Sequence, residues 1–230
     1  MRHITISLPV VPVMKCVVLV WCVLLLGNAA ALVLVHRLDI GDAWGLVTLF
    51  HFDREQNLPT LYSVLLLLGG SMLAFFHARN DGLVEIDRSG WVLIAAILLF
   101  LAIDEFASIH ERVDAALHYY IESGFLPYAA WPLPYAAAAA LAGWRLLPWL
   151  VRQNRRLILA LLVAGSVYVS GAAGVELIAG EYIATIDPDR SGVVDLKRDL
   201  LATVEESLEM MGLMLMFWAL ACSASDNREH

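Results

Sequence analysis

From Cys16 to Val35 the chain runs 20 residues with Asn28 as its only polar side chain. That is about the ~20 residues a helix needs to cross the hydrocarbon core of a bilayer. Further stretches are nearly as apolar, and the 230-residue chain as a whole is 60% hydrophobic with a mean hydropathy of +0.71. A soluble domain of this size carries far more polar surface. Inside lipid every backbone amide must be paired within its own segment, which leaves the helix as the spanning unit. The sequence therefore predicts an all-α polytopic transmembrane bundle, a single integral membrane domain over residues 1–230. Its six spans fall at about 13–35, 58–77, 90–110, 128–147, 156–178 and 200–222.

The first span has a secretory look, with Arg2 and Lys15 ahead of the apolar run and Ala29–Ala31 resembling a cleavage site. The apolar stretch continues through Val35, and we read it as a retained helix. Placing both termini in the cytoplasm puts nine of the fifteen basic residues inside, with the Arg152–Arg156 cluster as the firmest marker. Eighteen of the twenty-three acidic residues then fall outside or in the outer half, so the unusual charge is on the outer side. A bacterial inner membrane is the expected location. Cys16, Cys22 and Cys222 lie in spans and read as apolar fillers rather than a disulfide framework. An acidic chain with one short basic cluster excludes nucleic acid as a partner, and leaves the bilayer as the expected one. Trp44, Trp91, Tyr119, Tyr120, Tyr128, Trp131, Trp144 and Trp149 sit near span boundaries, as an interfacial aromatic belt would.

Two spans are apolar at one end and acidic at the other. Trp91–Ile103 is purely apolar and runs into Asp104, Glu105, Ser108, His110 and Glu111, whereas Glu205, Glu206 and Glu209 precede the apolar run Met210–Cys222. Each clean run has 13 residues, too few to span alone. The acids must therefore sit within or just at the hydrocarbon boundary, where ionisable groups are costly and mark sites. At ~100° per residue Asp104, Ser108 and Glu111 share a face, because seven residues return the helix to within ~20°. Glu205, Glu206 and Glu209 stand one turn apart, and like charges so placed call for a proton or cation between them. Glu205 and Glu206 also suit a helix start, with Thr203 and Glu206 matching a capping box. Glu209, a further turn in, is not explained that way. The fifth span adds Glu176, after Ser166, Ser170 and Gly174 at a spacing that lets a neighbouring helix approach.

The second span opens with Glu55, Asn57, Thr60 and Ser63. This string resembles the Glu/Asn/Ser string of membrane-embedded alkaline ceramidase-like zinc hydrolases. The resemblance ends there, because that family's zinc needs three histidines and the spans after His110 contain none. In the outer loop, Asp187, Asp189, Ser191, Gly192 and Asp195 partly match a calcium loop whose twelfth position is Arg198 instead of Glu, and a plain turn is the simpler reading.

These helix ends together offer Asp104, Glu105, His110, Glu111, Glu176, Glu205 and Glu209 as metal-ligand candidates. Glu55, Asn57, Ser108 and Glu206 complete the polar cluster. An oxygen-rich set with an imidazole suits a divalent metal such as Fe, Mn or Zn. The expected function is a membrane-embedded metal-dependent enzyme acting on a lipid or hydrophobic small molecule. The alternatives are a cation- or proton-handling transporter and a non-catalytic membrane subunit.

Overall fold

A computed structural model describes residues 9–80, 83–121, 130–184 and 195–226. The described chain is helical, with α1 Val10–Leu38, α2 Leu46–Phe50, α3 Leu58–Ala78, α4 Glu85–Ala107, α5 Ile109–Tyr120, α6 Pro132–Leu150, α7 Arg155–Val169, α8 Glu176–Ala184 and α9 Leu196–Asp226. Asp187–Gly192 of the partial calcium loop, and Tyr128, lie outside the described residues.

Among the described residues, five helical stretches are long and apolar enough to cross a membrane: Val10–Leu38, Leu58–Ala78, Glu85–Ala107, Arg155–Ile183 and Leu196–Ala224. Their outward flanks are apolar, with Leu26 71% and Leu65 59% exposed, a surface that water does not favour over so large an area. The expected fourth span corresponds to α6, which is not among the five, since Tyr135, Arg145 and three prolines dilute its apolar run. Yet α6 lies antiparallel along α4. Tyr135 meets Asp104 near one end, and Trp149 meets Trp91 edge-on at 5.0 Å near the other.

The bundle pairs α3 with α4 and α7 with α9, with α1 and α3 also packed on α9. Its core is a layer of Leu67, Leu73, Leu98, Met210, Leu213 and Leu220. Here the aromatic-belt expectation divides. Trp44, Tyr119, Tyr120 and Trp144 are exposed, whereas Trp91 and Trp149 are buried in the core. Opposite the acidic helix ends, Arg152 makes a two-pronged pair with Asp87 (2.9 and 3.1 Å), tying the α6–α7 turn to the start of α4.

Three local features shape the acidic end. The third expected span does not continue through residue 111: Ser108 adopts a left-handed conformation (φ 47°, ψ 50°) that closes α4 and turns the chain into α5. Asp104, Ser108 and Glu111 are thus not neighbours on one helix face. α9 begins at Leu196, where Asp195 accepts from the Lys197 and Arg198 amides. Glu205 therefore lies nine residues in, Thr203 gives its hydroxyl to the Asp199 carbonyl (2.7 Å), and no capping box exists there. The capping role cannot account for Glu205 and Glu206. Finally, Ser170–Val175 winds as a π-helix between α7 and α8, a form often found at functional sites.

The π-segment also corrects the expected small-residue stripe. Ser166, Ser170 and Gly174 face outward, and the close approach to α9 is made by buried Gly171 and Ala172. A Cβ on Gly171 would lie 2.7 Å from the Glu205 carbonyl oxygen. One turn earlier, a Cβ on Gly212 of α9 would lie 2.6 Å from the Tyr168 backbone nitrogen. Two glycines, one on each side, thus let the backbones touch where the acids converge.

Candidate functional site: an acidic cavity between helix ends

The helix ends enclose a cavity of about 380 Å³. Every residue expected as a metal ligand lines it: Asp104 and Glu105 from the end of α4, His110 and Glu111 from α5, Glu176 from α8, and Glu205 and Glu209 from α9. Glu55 and Glu206 line it as well. Ser108 reaches it indirectly, by giving its hydroxyl to Glu55 Oε2 (3.3 Å). Asn57 does not line it. Its side chain caps α3, accepting from the Thr60 amide (3.1 Å) and donating to the His51 carbonyl (2.8 Å).

Sequence reasoning missed Asp53, Asp114, Trp131, Tyr135, Tyr168 and Arg198, which share the lining. Trp131 and Tyr135 stand one turn apart at the acidic end of α6, a signal easily read as interfacial aromatics. They meet edge-on at 5.1 Å and form a wall beside His110, whose ring centroid is 5.3 Å from that of Trp131.

Asp104 organises this wall. Its carboxylate is buried (6% exposed) and accepts from the Tyr135 hydroxyl (2.6 Å), the His110 backbone amide (2.9 Å) and His110 Nδ1 (3.3 Å). The backbone bond caps α5 across the Ser108 break, so Asp104 ends α4 through its carbonyl, which accepts from the Ser108 amide, and through its carboxylate starts α5 and orients an imidazole. Burial works against a charged His110. The Asp104 hydrogen bond, with the charges of Asp104, Glu55 and Glu105, overcomes it and lifts the pKa to about 9. Asp104 is therefore the partner that holds His110, with Nε2 as the remaining ring nitrogen.

The other acids are far less well matched. Ten carboxylates line the cavity against two cationic side chains, Arg198 and His110. Arg198 is paired with Asp53 (3.0 Å), and His110 with Asp104. Among the described residues, Glu105, Glu176, Glu205, Glu206 and Glu209 form no ion pair; Glu205 instead sits beside Glu176, and Glu209 beside Glu105. Glu55, at the rim, has its pKa raised by burial and then by the charge of Glu111. Asp53 is raised by burial, with Arg198 opposing. Among the described residues, no three His, Cys, Asp or Glu side chains already converge to hold a metal ion.

A second polar node braces the rim. Asp199 Oδ2 takes His36 Nε2 at 2.7 Å and lies 3.4 Å from His51 Nε2. The Asp53 amide donates to His51 Nδ1 (3.2 Å), which places the ring proton of neutral His51 on Nε2, facing Asp199. Asn28, the lone polar residue of the first apolar run, donates to Thr203 Oγ1 (2.8 Å) and accepts from the Phe52 amide (2.9 Å). Together these bonds fix the 51–57 connection that delivers Asp53 and Glu55.

The fold and cavity define an all-helical protein, rich in membrane-crossing candidates, with an acidic chamber between helix ends. Residues 10–224 match the family described as Domain of unknown function (DUF8692), and the chain belongs to it. No curated protein and no solved structure matches it.

Proposed function

We propose that this chain is an integral membrane protein whose acidic cavity, near the outer leaflet of a bacterial inner membrane, binds a divalent cation (Fe, Mn or Zn). It acts on a lipid or hydrophobic small molecule as a membrane-embedded metal-dependent enzyme. Both termini lie on the cytoplasmic side. The observation that carries this reading is the charge imbalance: ten carboxylates from several helices line one cavity, and its two cations are already committed. Bringing so many like charges together in a weakly solvated space is expensive unless protons or a cation offset them. Glu105, Glu205, Glu206 and Glu209 are the candidate oxygen ligands, and their flexible side chains can rotate onto an ion. His110 Nε2 is the nitrogen candidate, held in orientation by Asp104, and it must give up its proton to coordinate a metal. A bound metal would supply Lewis-acid polarisation or an activated water.

The cavity volume, about 380 Å³, exceeds what an ion needs and falls within the range of small-molecule sites. That favours an enzyme over an ion pathway. The core layer of Leu67, Leu98, Met210, Leu213 and Leu220 is apolar.

Elemental analysis of purified wild type beside Glu209→Ala and Asp104→Ala tests the reading. Stoichiometric metal in the wild type, lost from Glu209→Ala and reduced in Asp104→Ala, is expected. A metal-free wild-type protein that still carries cations across proteoliposome membranes would replace the enzyme by a transporter.

A further inference from the structure

The connection between α1 and α3 presents its apolar side chains away from the protein. Trp44 is 102% exposed, with Ile40 41%, Leu46 46% and Leu49 44%. Three successive residues, Ala43, Trp44 and Gly45, adopt left-handed backbone (φ 46°, 56° and 86°). For residues other than glycine this conformation is unfavourable, so something must hold the turn. Asp42 does: its carboxylate accepts from the Gly45 amide (3.0 Å) and the Thr48 hydroxyl (2.9 Å), and Arg54 donates to Thr48 Oγ1 (2.6 Å). The turn is thus a built, strained support that points one indole outward.

Its place in the fold says what the indole meets. The turn follows directly on α1, whose flank is apolar and exposed through Leu26, Val33 and Leu38, the surface a bilayer would cover. α2 then leads straight to Asp53 and Glu55 on the cavity rim. On the α4–α5 side of the same end, Tyr119 and Tyr120, each 81% exposed, meet edge-on at 4.9 Å at the end of α5, which contributes Glu111 and Asp114 to the rim. An amphipathic ring with one polar edge is best placed between acyl chains and water.

We propose that the turn carrying Trp44, with Tyr119 and Tyr120, forms an interfacial anchor that seats the cavity rim among the lipid headgroups. This rests on the membrane reading above but not on metal binding.

The test uses the full chain reconstituted in phosphatidylcholine vesicles, with Trp44→Phe as the subtraction control. Trp44 touches nothing that its removal would collapse. The difference emission, belonging to Trp44 alone, should lose most of its intensity to lipids brominated high on the acyl chain. It should respond weakly to lipids brominated near the chain end and to aqueous iodide. Strong iodide quenching with no response to brominated lipid overturns the anchor while leaving the membrane reading intact. Indifference to both quenchers, as when a protein surface covers Trp44, overturns it as well. Failure of the protein to enter vesicles overturns both.

Discussion

Replacing Asp104 by Asn keeps the shape of the cap and removes its charge, which isolates the electrostatic half of the site. One carboxylate serves Tyr135 at 2.6 Å, the His110 amide at 2.9 Å and the His110 ring at 3.3 Å. An amide oxygen can retain the first two bonds, but an uncharged side chain cannot hold an imidazolium against burial. The His110 ring is 23% exposed, so screening by water is limited. Its pKa should fall from about 9 toward the ordinary value of 6.5. That interval corresponds to roughly 3 kcal/mol. The direction with pH follows from the raised folded-state value. The pair's stabilisation is complete below about 6.5 and disappears as pH rises through about 9. Wild type should therefore exceed Asp104→Asn by about 3 kcal/mol near pH 6, and the gap should close above about pH 10. Thermal unfolding in detergent across this range gives the gap. The ring resonance of His110 in isotopically labelled protein, assigned with His110→Gln, gives the titration. A wild-type His110 titrating near 6.5, or a stability gap that does not change with pH, refutes the assignment of Asp104 as its partner.

Gly212→Ala should force α7 back from α9, because the new methyl lands 2.6 Å from the Tyr168 backbone nitrogen, which cannot rotate aside. A loss of about 1–3 kcal/mol, read as a lower thermal midpoint, should accompany weaker Mn²⁺ binding by titration. Asn28→Ala should cost about 2 kcal/mol, since it strands the amide of buried Phe52 without its acceptor. Hydrogen exchange should then quicken through residues 50–55 while α4 stays protected.

The two long apolar runs and their acidic ends are legible in the amino-acid order. A stretch such as Cys16–Val35 has no stable state in which its backbone amides are unpaired in an apolar medium, so helix follows from composition alone. The convergence of Asp104, Glu105, His110, Glu111, Glu176, Glu205 and Glu209 is legible for a related reason. Antiparallel helices of similar length align their ends, so polar ends on alternate helices must meet on one side. Less could be known of how the site is built. Nothing local announces that Ser108 breaks the third long helix, since the left-handed turn is held by Asp104 bonding the His110 amide and by Ser108 reaching Glu55, a residue 53 positions away. Nor does spacing distinguish a capping Glu205 from one nine residues inside a helix that starts at Leu196.

The partners of Asp104, Asp199 and Asn28 lie on other helices, and only packing could name them. Gly171 and Gly212 read as ordinary small residues until one is seen against Glu205 and the other against Tyr168. Helix periodicity is a property of one segment and determines which side chains share a face. Which faces then touch depends on the fit of whole surfaces, and that fit chose the acids left without a counter-charge.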